Sequence, residues 1–90
     1  MSARHEVTVR VTNELGLHLR AAGALAQLAS QYPCEITLER DSIHANAKSI
    51  MSVLALGATR GTTLKLVTTG ERAEEAITAV QALLARGFER

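Results

Sequence analysis

The stretch Val7-Thr8-Val9-Arg10-Val11-Thr12-Asn13-Glu14-Leu15-Gly16-Leu17-His18-Leu19-Arg20-Ala21-Ala22 changes its periodicity partway along, and that change decides the fold. Val7, Val9 and Val11 alternate with Thr8, Arg10 and Thr12, which predicts a strand over 7–12 with one buried face. Beyond the crossover, Ala21, Leu25, Leu28 and Ala29 fall on one helical stripe, predicting a helix over 21–31 that ends ahead of Pro33. Its alanines make that helix easy to form.

Working outward, 35–40 alternates again with Ile36 and Leu38 inward, and a short run over 42–45 follows Asp41, so the two read as a hairpin. Residues 49–56 are mostly apolar, with Ile50, Val53 and Leu54 at helical spacing and Gly57 placed to close the end in a left-handed conformation. A last strand over 62–69 is carried by Leu64, Leu66 and, less regularly, Val67, and is broken by Gly70. Glu71, Glu74 and Glu75 suit the opening turns of a final helix, whose stripe is Ala76, Ile77, Val80, Leu83 and Leu84 up to Gly87. The order is β-α-β-β-α-β-α, and helices with one apolar face each must cover one side of a sheet, which gives an α+β open sandwich. A ferredoxin-like arrangement shares this order but wants a second helix about as long as the first. Periodicity alone leaves the strand order open.

At 90 residues the chain has material for one core, so a single domain over 1–90 is expected, with no internal repeat or linker. One Tyr and one Phe leave no base-stacking platform, and a net charge of +1 with interspersed signs gives no general attraction to nucleic acid or anionic membrane. No stretch reads as a signal peptide or approaches the roughly 18 apolar residues of a membrane span, so a cytoplasmic monomer is expected. Cys34 is alone, which excludes an intramolecular disulfide and multi-cysteine metal motifs; no metal and no cofactor are expected. Cys34 reads as a half-buried packing residue, and His5, His44 and Arg60 as surface groups.

Chemistry concentrates in 13–22, where a histidine stands immediately ahead of a helix start. The first amides of a helix lack intrahelical acceptors and the dipole adds partial positive charge, so a phosphate beside His18 would meet donors around Leu19, Arg20 and Ala21. Arg20 adds a full charge and a planar fork of donors, and Gly16 lets the backbone turn sharply. An imidazole, with an ordinary pKa of about 6.5, is a nucleophile at neutral pH, and its N-phosphoryl bond stays reactive enough to be passed on. The plainer alternative is a histidine that caps a helix beside a solvated arginine.

The run Gly16-Leu17-His18-Leu19-Arg20-Ala21-Ala22, followed by Lys48-Ser49-Ile50-Met51 and by Leu56-Gly57, resembles the HPr family at both of its marker segments, and the similarity spans nearly the whole chain. The resemblance implies an open-faced β-sandwich, with four antiparallel strands covered on one face by three helices. It also implies a phosphocarrier phosphorylated on Nδ1 of His18, with Arg20 as charge partner. Family members accept the phosphoryl group from enzyme I, itself charged by phosphoenolpyruvate, and deliver it to the EIIA component of a sugar permease. Ser49 matches the serine that an HPr kinase/phosphorylase modifies in many Gram-positive and some other members. Apolar residues around the histidine form the expected partner face: Leu19, Arg20, Gly23, Ile50, Met51, Leu54 and Ala55. Ala21 departs from the proline that many members carry after the arginine, and proline there would fix the helix start. Two other readings differ in class. One is a non-catalytic regulatory protein of the same fold controlled at Ser49, against which the retained His18 and Arg20 speak. The other is an RNA or metal module, for which the aromatic ladder and paired cysteines are missing.

Overall fold

The structure, a computed structural model, describes residues 3–88. Its elements are β1 (Arg4–Arg10), α1 (Leu19–Ala29), β2 (Glu35–Arg40), β3 (Ile43–Asn46), α2 (Ile50–Ala55), β4 (Thr63–Thr69) and α3 (Ala73–Ala85). The strands form one antiparallel sheet in the order β1-β4-β2-β3, so β4, last in sequence, lies between β1 and β2. This is the open-faced α+β sandwich, with three helices against one face of four strands.

Register explains which side is covered. Val7, Leu66, Leu38 and Ala45 lie opposite one another across the four strands, and so do Val9 and Leu64. This row joins Leu25, Val53, Val80 and Leu84 from the helices in the core. The neighbouring row Glu6, Val67, Thr37 and Asn46 faces away from the helices. Val67 is the irregular position of β4: it is buried although it lies on the open face, because it sits mid-sheet between Glu6 and Thr37. Thr68 points inward and is fully buried, and its hydroxyl donates to the Ala73 carbonyl at 2.7 Å, satisfying a polar group that would otherwise be costly.

Element bounds differ from the sequence expectation where side chains or loops intervene. β1 starts three residues earlier, at Arg4, and stops at Arg10. Val11 leaves the regular ladder yet stays buried, donating to the Thr62 carbonyl and accepting from Gly61. α1 starts at Leu19, two residues ahead of the stripe that begins at Ala21 and directly after its His18 cap, and it ends at Ala29 through Ser30 well before Pro33. Arg72, in the left-handed region at φ 62, begins α3, so Glu71 precedes the helix and only Glu74 and Glu75 occupy its first turn. Cys34 is buried rather than half-buried, and His5 is half-buried because it shares the covered face with Thr68 and Ile36.

Arg40 ties the hairpin to α2. Its Nη1 donates to the carbonyls of Leu56 at 2.9 Å and Gly57 at 2.8 Å, so a guanidinium satisfies the orphan carbonyls at the end of a short helix. Arg40→Ala is expected to lower stability by about 1.5–3 kcal/mol, the range for hydrogen bonds to a charged group, as a fall in the urea midpoint at unchanged slope.

Candidate functional site

The site is built on the crossover between β1 and α1. Gly16 adopts φ +65, and its Cα faces the backbone of the loop before β4 so closely that a Cβ would lie 2.5 Å from the Ala58 oxygen. The next amide, Leu17, donates to that oxygen at 3.0 Å, and the Leu17 side chain is buried. The crossover is thus pinned to the loop between α2 and β4 at the two residues that precede His18.

His18 is the N-cap of α1, in extended backbone with φ −83 and ψ 179. Its carbonyl accepts from Ala22 at 2.8 Å, the first bond of the helix, while its Nδ1 accepts from the Arg20 amide at 3.2 Å. Asn, Asp, Ser and Thr usually fill this position. An Nδ1 that accepts a hydrogen bond carries its lone pair toward the helix start, and the proton of the neutral ring sits on Nε2. The first-turn amides of Leu19 and Ala21 have no acceptor inside the helix, as its geometry requires. His18 is half-buried and Arg20 exposed, and among the described residues the Arg20 guanidinium makes no ion pair. Both line an open cleft of about 900 Å³ between α1 and the end of α3, which Asn13, Leu15, Gln27 and Phe88 also line. The ring is therefore partly accessible and borders this open space.

Ala21 is fully buried as a residue, so its methyl offers nothing to a phosphate. The absence of proline there leaves α1 with a regular start, because the His18 cap supplies the fixed geometry.

The candidate partner residues separate by exposure. Leu19 at 66% and Met51 at 76% are presented to solvent, Ile50 is partly so, and Ala55 is exposed. Gly23 is half-buried, and Leu54 is half-buried against the core, so its apolar surface is shared between packing and the face. α1 and α2 are neighbours, so these residues lie on adjoining helices. Leu15, 74% exposed, belongs to the same end of the molecule and was not expected from the sequence. It lies in the crossover, where no periodicity assigns a face; an apolar residue in an otherwise polar turn was the one available signal.

Ser49 caps α2, its Oγ accepting from the Ser52 amide at 3.3 Å. The Asn46 side chain accepts from the Lys48 amide at 2.9 Å, and Lys48 Nζ donates to the Tyr32 carbonyl at 2.7 Å, which fixes the approach to the cap. His44 is exposed, with Nδ1 3.5 Å from Glu39. Among the described residues, no group of three or more His, Cys, Asp or Glu could hold a metal ion, and no helix is long and apolar enough to cross a membrane.

An open-faced sandwich whose first helix starts on an imidazole defines the class of small phosphocarrier domains. Residues 5–86 match the family described as the PTS HPr component phosphorylation site, and the chain belongs to the HPr family of the phosphotransferase system. It is 44% identical over 82 residues to the phosphocarrier protein HPr of Treponema pallidum, covering 91% of this chain and 93% of that one. Its identity to the HPr of Pseudomonas aeruginosa is 39% over 82 residues, covering 90% and 91%. The crystal structure of HPr-C-His from Thermoanaerobacter tengcongensis superimposes with a TM-score of 0.90 at 40% identity, covering 96% of this chain and 98% of that one.

Proposed function

We propose that the chain accepts a phosphoryl group on Nδ1 of His18 from enzyme I charged by phosphoenolpyruvate, and passes it to an EIIA domain as a monomeric, single-domain cytoplasmic protein. The observation that carries this reading is the Nδ1 lone pair held at the start of α1, 3.2 Å from the Arg20 amide. In the forward step the Nδ1 lone pair forms the new N–P bond while the bond from phosphorus to the donor breaks, its electrons returning to the donor. The ring keeps its proton on Nε2. The Arg20 amide then donates to a phosphoryl oxygen instead of to the ring, with the amides of Leu19 and Ala21 and the Arg20 guanidinium beside it. Transfer onward reverses the same motion. The exposed Leu19, Ile50 and Met51 offer apolar surface suited to transient docking, to which Leu15 adds.

Incubating the purified chain with enzyme I and labelled phosphoenolpyruvate tests the reading. The expected outcome is one acid-labile, base-stable phosphate per chain that EIIA then removes; no incorporation with an active enzyme I contradicts it.

Arg20→Ala keeps the nucleophile and removes the charge fork. A lost charge-assisted contact to phosphate corresponds to about 1.5–3 kcal/mol, so kcat/KM for phosphorylation should fall roughly tenfold to a hundredfold. Arg20→Lys should recover only part, since a point charge lacks the planar fork. Ser49 is proposed as a second phosphoacceptor for an HPr kinase/phosphorylase. A phosphate there would add about −1.5 to −2 charge beside Ile50 and Met51 and weaken docking of partners that approach through them. The retained His18 and Arg20 favour the carrier over a purely regulatory role.

A further inference from the structure

We infer that Asn13 is a positioning residue for the phosphoryl transfer, acting on His18 through the carbonyl of Gly16; the inference rests on His18 being the phosphoacceptor.

Asn13 Nδ2 donates to the Gly16 carbonyl at 2.6 Å, and the same carbonyl accepts the His18 amide at 3.0 Å. The Gly16 amide donates back to the Asn13 carbonyl at 3.1 Å, so side chain and main chain of Asn13 hold Gly16 from both ends of its residue. The bond from Leu17 to Ala58 fixes the crossover in place but leaves the plane of the following peptides to be set from the other side. That side is Asn13. It is itself wedged against the end of α3: a Cβ on Gly87 would lie 3.4 Å from the Asn13 Cβ, and the neighbouring Thr12 hydroxyl donates to the Leu84 carbonyl at 3.2 Å.

Asn13 Oδ1 is buried and finds no partner among the described residues. An unpaired buried acceptor works against stability, so the favourable contribution of this side chain comes through its donor alone, and that donor is spent on the carbonyl that orients His18. The imidazole is rigid beyond two side-chain torsions, and a tilt of the peptide at 16–18 swings Nδ1 relative to the Arg20 amide. In-line transfer needs that nitrogen held in a near-attack position, so the effect of Asn13 falls on the chemical step and not on docking.

The test compares wild type, Asn13→Ala, Asn13→Asp and Asn13→Ser in phosphorylation by enzyme I, with kcat and KM separated. Thermal midpoints and the ¹⁵N shifts of the His18 ring are measured alongside. Asp keeps the shape and loses the donor; Ser retains a weaker local donor. The expected result is a loss of about tenfold in kcat for Ala and Asp at unchanged KM, with displaced ring shifts, and partial recovery with Ser. Folded Ala and Asp variants that transfer as fast as wild type overturn the inference, as does a loss confined to KM, or unmoved ring shifts. Failure of all three variants to fold would make the role structural and overturn it as well. A wild-type chain that takes up no phosphate refutes the carrier reading itself, a different result from unaffected Asn13 variants of an active carrier.

Discussion

His18→Asn is expected to fold with near-wild-type stability and to take up no phosphate from phosphoenolpyruvate and enzyme I. The two effects separate because the proposed function gives His18 two tasks at one position. As N-cap of α1 it accepts the Arg20 amide through Nδ1, a task that Asn performs at least as well. As nucleophile it offers a lone pair that an amide side chain does not supply. His18→Ala removes both, and should cost about 0.5–2 kcal/mol of stability for the lost cap in addition to all incorporation. The other histidines have different surroundings: His44 lies on the edge strand β3 beside Glu39, and His5, within β1, shares a cleft at the start of α3 with Glu74 and with an Arg72 already paired to Glu75. Urea titration with acid-lability assays on both variants checks the pair of effects. Acid-labile phosphate on the Asn variant would move the phosphoacceptor away from residue 18.

The sequence reveals most where contacts are local and periodic. The stripe of Ala76, Ile77, Val80, Leu83 and Leu84 is buried as its spacing requires, and Gly57 closes α2 at φ +59. Strand β2 has the expected bounds, since alternation and the flanking Cys34 and Asp41 leave it no freedom. What periodicity could not show depends on partners far along the chain. The insertion of β4 between β1 and β2 is a matter of pairing, not pattern. The apolar stripe that sets the expected start at Ala21 misses the first two residues of α1, because Leu19 and Arg20 lie on its exposed side. For the site, His18 and Arg20 were legible because a helix start next to a titratable ring is a sequence-local feature. The grip of Asn13 on Gly16, the reach of Arg40 to α2 and the exposure of Leu15 arise only in the folded chain, since turns carry no period from which a facing direction could be read.

Gly16 links the local and distant parts of this arrangement, and Gly16→Ala should be the most damaging small substitution in the crossover. Two penalties combine there. The backbone is left-handed at φ +65, which a non-glycine residue adopts at a cost of about 1–2 kcal/mol. The added Cβ would also stand 2.5 Å from the Ala58 oxygen and 2.8 Å from the Thr59 Cα, both backbone atoms that no side-chain rotation can clear. The crossover must then move off the loop before β4, breaking the Leu17 to Ala58 bond and drawing the buried Leu17 from the core. Adding about 1–2 kcal/mol for the bond and packing gives a total near 2–4 kcal/mol. The displaced His18 should transfer phosphate at least about a hundredfold more slowly, the scale of a misplacement near 1 Å. Gly61→Ala divides the two penalties, because Gly61 has φ +90 but no atom within 4 Å of its added Cβ. It should show the conformational cost alone, about 1–2 kcal/mol, with transfer kinetics unchanged. Equal urea midpoints for the two variants would mean that the contact with Ala58 carries no weight, and that the crossover is held only by what lies on its own side.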